Sequence, residues 1–150
     1  MDLETAYDII YRYVYFKVND RAVAEDITQE TFLKYLSKKN GIHDYEMKYM
    51  YTIAKNLCID EYRRIKPEAL TEEHAETIAA KDDGFLERYA VREALMKLSE
   101  EDRELLLLRH VNDAPVGTIA GLLNISRFAV YRKLKDAELR LKEKLEVSDR

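Results

Sequence analysis

With 150 residues the chain has room for one ordinary domain or two small ones, and 47% hydrophobic residues supply material for real cores. The single cysteine, Cys58, excludes an intramolecular disulfide, and four glycines with two prolines leave little for strand hairpins, so an all-α fold is expected. A net charge of −4 argues against tight binding to nucleic acid by the chain alone, because phosphate neutralisation supplies most non-specific affinity.

The apolar spacing in residues 1–66 predicts three helices. The first runs from about Leu3 to Lys17 and ends at Asn19-Asp20. The second spans roughly Ala22 to Lys38 and stops at Lys39-Asn40-Gly41. The third spans roughly Glu46 to Ile65 and stops before Pro67, since a residue that precedes proline disfavours helix. On this third helix Met47, Met50, Tyr51, Ala54, Leu57 and Cys58 share one face. Lys48, Thr52, Lys55, Asn56 and Arg63 lie mostly off it.

Residues 67–84 hold six acidic groups against Lys81 and few large apolar side chains, the composition of an acidic linker. Residues 85–150 form the second block. It opens with an amphipathic helix, Phe85 to Leu98. Ser99-Glu-Glu-Asp102 is a capping box for the next helix, which carries four consecutive leucines, Leu105 to Leu108.

The run TIAGLLNISRFAVYRKLKDAELRLKEKL, Thr118 to Leu145, then reads as a short helix, a tight turn and a long helix. Asn124 sits at the reversal, where a left-handed backbone is needed, and Ser126 is placed to cap the second helix. Val130, Leu134, Ala137, Leu141 and Leu145 form that helix's inward stripe. Its first turns carry Arg127, Phe128, Tyr131, Arg132, Lys133 and Lys135. Arg127 to Lys144 holds seven basic and three acidic groups, so the chain is locally basic here. This is the layout of a helix-turn-helix whose second helix enters a DNA major groove. Arg pairs bidentately with guanine and an aromatic ring can meet a thymine methyl. A merely solvated helix face is the plainer alternative, and Phe128 speaks against it.

No phosphate-cradling glycine loop or catalytic pair of carboxylates is present, and His43, His74 and His110 share no ligand spacing. No catalytic residue, metal, cofactor or small-molecule substrate is therefore expected. No apolar run reaches spanning length and the start, MDLETAYD, is acidic rather than signal-like, so no stable membrane insertion is expected and a cytoplasmic location is.

Three segments in order give the chain a family resemblance. AEDITQETFL (Ala24–Leu33) resembles the AEDLTQEVFL segment of extracytoplasmic-function sigma factors, the small sigma-70 relatives that keep only regions two and four. YMYTIAKNLCIDEYRR (Tyr49–Arg64) is similar to their WLYRIARNLAIDYLRR segment, with Tyr49 in place of Trp. Leu98 to Leu141 resembles their region four.

The resemblance implies two helical domains: region two at 1–66 and region four at 85–150, joined by the acidic linker 67–84. It implies that Asp26, Gln29, Glu30, Phe32 and Leu33 dock on core RNA polymerase, with Phe32 also open to a place in the local core. It implies that Tyr49, Tyr51, Lys55, Asn56, Arg63 and Arg64, with the loop at about 41–48, open and read the minus-ten element. Aromatic and basic groups of this kind stack and hold unpaired bases. Tyr51 shares the apolar stripe, so a core position is open beside the stacking one. Ser126, Arg127, Phe128, Tyr131, Arg132, Lys133 and Lys135 are implied to read the minus-thirty-five duplex. Promoter DNA and an anti-sigma factor are the further partners implied.

Two departures bear on this reading: Thr118 stands where the family usually has Glu, and Asp136 where it usually has Arg. Asp136 takes away an expected phosphate contact and adds repulsion. A stand-alone helix-turn-helix regulator and a sigma-like decoy that does not bind DNA are the rival functions.

Overall fold

The computed structural model describes residues 2–39, 46–65 and 85–148. The expected linker at 67–84 and the 41–45 part of the expected loop lie outside them. Among the described residues there are seven α-helices: α1 (Leu3–Val18), α2 (Arg21–Lys39), α3 (Met47–Ile65), α4 (Phe85–Met96), α5 (Glu100–Leu106), α6 (Val116–Leu123) and α7 (Arg127–Ser148). A π-helical turn, Leu107–Val111, continues α5. The all-α expectation holds and most helix ends agree with the sequence reading. α4 stops two residues early because Lys97 and Leu98 donate to Ala94 and Leu95 three residues back, tightening the last turn.

Local chemistry explains the first three helices. Asp2 caps α1 by accepting from Thr5 N–H at 2.8 Å. Asn19 ends it at φ 54°, ψ 35°. Asp20 then caps α2 through Val23 N–H. On α2 the inward face is Ala24, Ile27, Thr28, Thr31, Phe32 and Tyr35. The two buried threonines satisfy their hydroxyls by donating to Ala24 and Ile27 C=O at 2.6 and 2.7 Å. Glu46 N–H donates to Tyr35 Oη at 2.8 Å, which fixes the entry to α3. α1 brings Ala6, Ile10, Tyr13 and Val14 to the same core, and α3 brings Met50, Tyr51, Ala54 and Cys58. Tyr13 and Tyr51 meet edge to face, 5.0 Å between centroids.

In the second block Ser99 caps α5 through Asp102 N–H at 3.1 Å. The four consecutive leucines all find burial, as Leu105, Leu107 and Leu108 enter the main core while Leu106 joins Leu95, Leu98 and Ala137 in a smaller one. Each buried leucine contributes roughly 1.5–3 kcal/mol. Along α7, Val130, Leu134 and Ala137 are buried, and Leu141 and Leu145 half-buried, as the stripe predicts.

The two blocks do not pack as separate bodies. Leu105, Leu107, Leu108, Ala114, Val116, Ile119, Val130 and Leu134 of the second block belong to the same apolar cluster as the helices of the first.

Candidate functional site

The residues expected to make contacts fall on three surfaces. On α2, Asp26, Gln29, Glu30 and Leu33 recur at helical spacing and all are exposed. Leu33 is 69% exposed, an apolar anchor ringed by polar groups, and Glu30 pairs loosely with Lys34 at 3.7 Å. Phe32 has to be taken off this surface. It points inward, is 6% exposed, and packs on the Tyr7 ring with centroids 5.7 Å apart. Leu36, at 38% exposed, extends the face and went unnoticed in the sequence. Its spacing of three from Leu33 was the available signal.

On α3, Tyr49 (48% exposed), Asn56, Arg63 and Arg64 are at the surface and Lys55 is half-buried. Tyr51 also has to be moved. It is 3% exposed, and its hydroxyl accepts from Asn112 Nδ2 at 3.0 Å, so a base cannot reach its ring here. Burial raises its pKa above the usual phenol value. Arg64 is held by Glu61 at 2.6 Å on its own helix. Tyr62, 65% exposed, adds an aromatic ring beside the arginines that the sequence reading passed over.

The helix-turn-helix is built as its residues suggest. Asn124 lies at φ 56°, ψ 46°, and Ile125 N–H donates to Ala120 C=O at 3.1 Å to close α6. Ser126 Oγ accepts from Ala129 N–H at 3.1 Å and opens α7. Phe128 (84% exposed) and Tyr131 (60%) stand out from α7 beside exposed Arg127, Arg132 and Lys135. Lys133 is turned aside, half-buried and paired with Glu101 at 2.6 Å. Asp136 borders a shallow polar depression together with Arg132, Lys133 and Arg140. Glu101 and Asp102 line it too and pair with Lys133 and Arg140 at 2.6 and 3.0 Å, so with Asp136 the acids match the cations and little positive field is left on this side of the helix.

Other chemistry finds little footing among the described residues. No group of three His, Cys, Asp or Glu side chains could hold a metal ion. Cys58 is buried, and burial pushes its thiol up to about 12, which keeps it protonated and unreactive at neutral pH. No described helix is long and apolar enough to cross a membrane.

Comparison with known proteins gives consistent likenesses. Residues 3–67 match the family model for sigma-70 region 2, and residues 88–141 match that for sigma-70 region 4. The chain is similar to the ECF RNA polymerase sigma factor BldN of Streptomyces coelicolor, 30% identical over 135 residues; the match covers 82% of this chain but spans about half (51%) of that protein. It is also similar to the RNA polymerase sigma factor YlaC of Bacillus subtilis, 29% identical, covering 93% of this chain and 87% of that one. Among solved structures, the sigma factor RpoE of Bartonella quintana, crystallised with the anti-sigma factor NepR, superposes with a TM-score of 0.65 at 17% identity, covering 97% of this chain and 94% of that one. At that identity the likeness is one of fold.

Proposed function

Because the chain belongs to the sigma-70 family, as a sigma factor of the extracytoplasmic-function type, we propose that it serves as a promoter-specificity subunit of bacterial RNA polymerase. It docks on core enzyme through Asp26, Gln29, Glu30 and Leu33. It holds the opened minus-ten strand with Tyr49, Asn56, Arg63 and Arg64, and reads the minus-thirty-five duplex with Arg127, Phe128, Tyr131, Arg132 and Lys135. It acts in the cytoplasm and performs no catalysis of its own. An anti-sigma factor is its natural inhibitor, a reading supported by the RpoE–NepR pairing of its structural neighbour.

The observation that carries this reading is the exposed face of α7. An exposed Phe beside Tyr and Arg, directly after a capped left-handed turn, is costly in water and well suited to a groove edge.

Run-off transcription with bacterial core polymerase, with and without the chain, tests the reading: promoter-specific transcripts should appear only with it. Tight, specific duplex binding without core would favour a stand-alone regulator. Core binding without any transcript would favour a decoy.

A further inference from the structure

The outward stripe of α7 is centred on an aromatic ring. Helical spacing puts Phe128, Arg132 and Lys135 on the side opposite the buried Val130, Leu134 and Ala137, with Tyr131 at the edge of the stripe. Phe128 is the most exposed of the large apolar side chains described. Tyr131 follows three residues later, an advance of about 4.5 Å along the helix axis. Stacked base pairs are spaced by roughly 3.4 Å, so the two rings are separated by about one base-pair step.

We propose that Phe128 and Tyr131 make the chain a reader of thymine 5-methyl groups: the promoters it uses carry thymines at two neighbouring base pairs of the minus-thirty-five element, one for each ring. This rests on the promoter-reading function above and deepens it.

Groove chemistry is the first argument. Of the groups that base pairs present in the major groove, the thymine methyl is the apolar one, and the others are hydrogen-bond donors and acceptors. A phenyl ring has nothing to offer a donor or an acceptor. Set over the amino group of cytosine or adenine, it would strip away water without replacing the lost bond. Set over a methyl, ring and methyl leave water together. Tyr131 brings the same kind of ring with a hydroxyl at its tip, which keeps a polar partner or stays wet.

Presentation is the second. Ser126 Oγ accepts from Ala129 N–H at 3.1 Å, and Ser126 C=O accepts from Val130 N–H at 3.0 Å. Val130 is fully buried in the main core. The turn that carries Phe128 is thus fixed from both sides. Binding has side-chain torsions to order there, with the backbone already set.

The charge balance is the third. Lys133 is paired with Glu101 and Arg140 with Asp102, Asp136 adds a further acid, and the Arg127 guanidinium rests over Gly117. Arg132 and Lys135 remain exposed on the stripe that bears Phe128. Affinity that ignores sequence grows with the number of phosphates neutralised, so this helix has little of it. Discrimination then falls to contacts with base edges.

The test first leaves the protein unaltered. Holoenzyme is assembled from the full chain and bacterial core polymerase, and promoters are taken from genomic fragments that it transcribes. Synthetic duplexes then carry deoxyuridine, which pairs as thymidine does but lacks the methyl, at one minus-thirty-five thymine at a time. At two neighbouring base pairs this change should weaken promoter binding about fourfold, the ~0.8 kcal/mol of one buried methyl at ~1.4 kcal/mol per factor of ten. Phe128→Ala should become indifferent to the methyl at one of these pairs and stay sensitive at the other, and Tyr131→Ala should show the reverse. Both side chains are exposed, so both variants should fold. The deoxyuridine series on the wild-type chain decides the question even where one does not. Transcribed promoters without two neighbouring thymine-bearing pairs in this element, wild-type binding that is blind to deoxyuridine, or a Phe128→Ala chain that stays sensitive at both pairs each overturn the proposal. The last result would assign Phe128 to a protein contact. Absence of any promoter-specific transcript would overturn the promoter-reading function instead, whereas transcripts without methyl sensitivity leave that function standing.

Discussion

The guanidinium of Arg127, the first residue of α7, lies against the bare backbone of Gly117 in α6. A Cβ on that glycine would stand 3.0 Å from Arg127 Nη2 and 3.5 Å from Cζ. Gly117 therefore gives Arg127 its resting place at the entrance to the reading helix. Gly117→Ala adds at most about 1 kcal/mol of helix propensity, since Gly117 lies in the first turn of α6, and moves the arginine tip by a few tenths of an ångström. We expect a melting temperature that is unchanged or higher. Minus-thirty-five-dependent transcription should fall by a fraction of the roughly 1–3 kcal/mol that a lost bidentate base contact costs. Thermal melts and single-round transcription measure the two effects, and a parallel loss of both would show that Gly117 serves packing.

Arg132 and Lys133 are neighbours in sequence with different surroundings. Arg132 is exposed, whereas Lys133 is committed to Glu101 at 2.6 Å. Arg132→Ala should lower promoter use about tenfold, within the ~1–3 kcal/mol range of a base contact, and leave core association intact. Lys133→Ala should cost promoter use less and stability at most about 1 kcal/mol, the worth of a largely exposed pair. Promoter titrations beside a core-binding assay separate the two. Equal loss of core and promoter binding in Arg132→Ala would assign that position to folding or protein docking.

Leu33 and Phe32 make a similar contrast on α2. Leu33→Asp changes an exposed anchor, so the melt should hold while core affinity falls on the order of tenfold or more. Phe32→Ala empties a core position against Tyr7 and should cost about 3–5 kcal/mol of stability. Denaturant unfolding and core-binding titration read the two properties. A Leu33→Asp protein with full core affinity would remove α2 from the docking surface.

The parts that were legible in the sequence are those governed by neighbours along the chain. The Asn124 reversal and the Ser126 and Ser99 caps depend on residues three or four positions away, and the structure reproduces them. Helix period also gave the α7 stripe. What escaped reading is long-range. Nothing local to Glu104 says that it will meet Tyr13, 91 residues earlier, or that Asn112 will reach Ile9. Phe32 and Tyr51 look like contact residues by type, yet their helical phase points them inward. There phase outweighs type, because burying an aromatic ring gains more than leaving it in water. The π-turn has no sequence signature apart from four leucines that need two different cores.

Alkaline pH should weaken the fold, through groups whose protons the folded chain holds more tightly than the unfolded one. Burial pushes the Cys58 thiol from 9.0 up to about 12. Burial and then the Glu104 carboxylate push the Tyr13 phenol above its ordinary value of 10.0. Both shifts are upward, so the unfolded chain loses these protons first. Stability is therefore full below about pH 9 and declines above it, by up to about 1.4 kcal/mol per pH unit for each group. Cys58 contributes from near pH 9 to near pH 12, and Tyr13 and Tyr51 join above pH 10. Thermal melts between pH 7 and pH 11 should be flat at first and then fall. Cys58→Ala should flatten the part between pH 9 and pH 10, where the tyrosines have yet to act. A wild-type curve as flat at pH 10.5 as at pH 7 would mean that none of these groups is sequestered in solution, and would place water inside the joint between the two blocks.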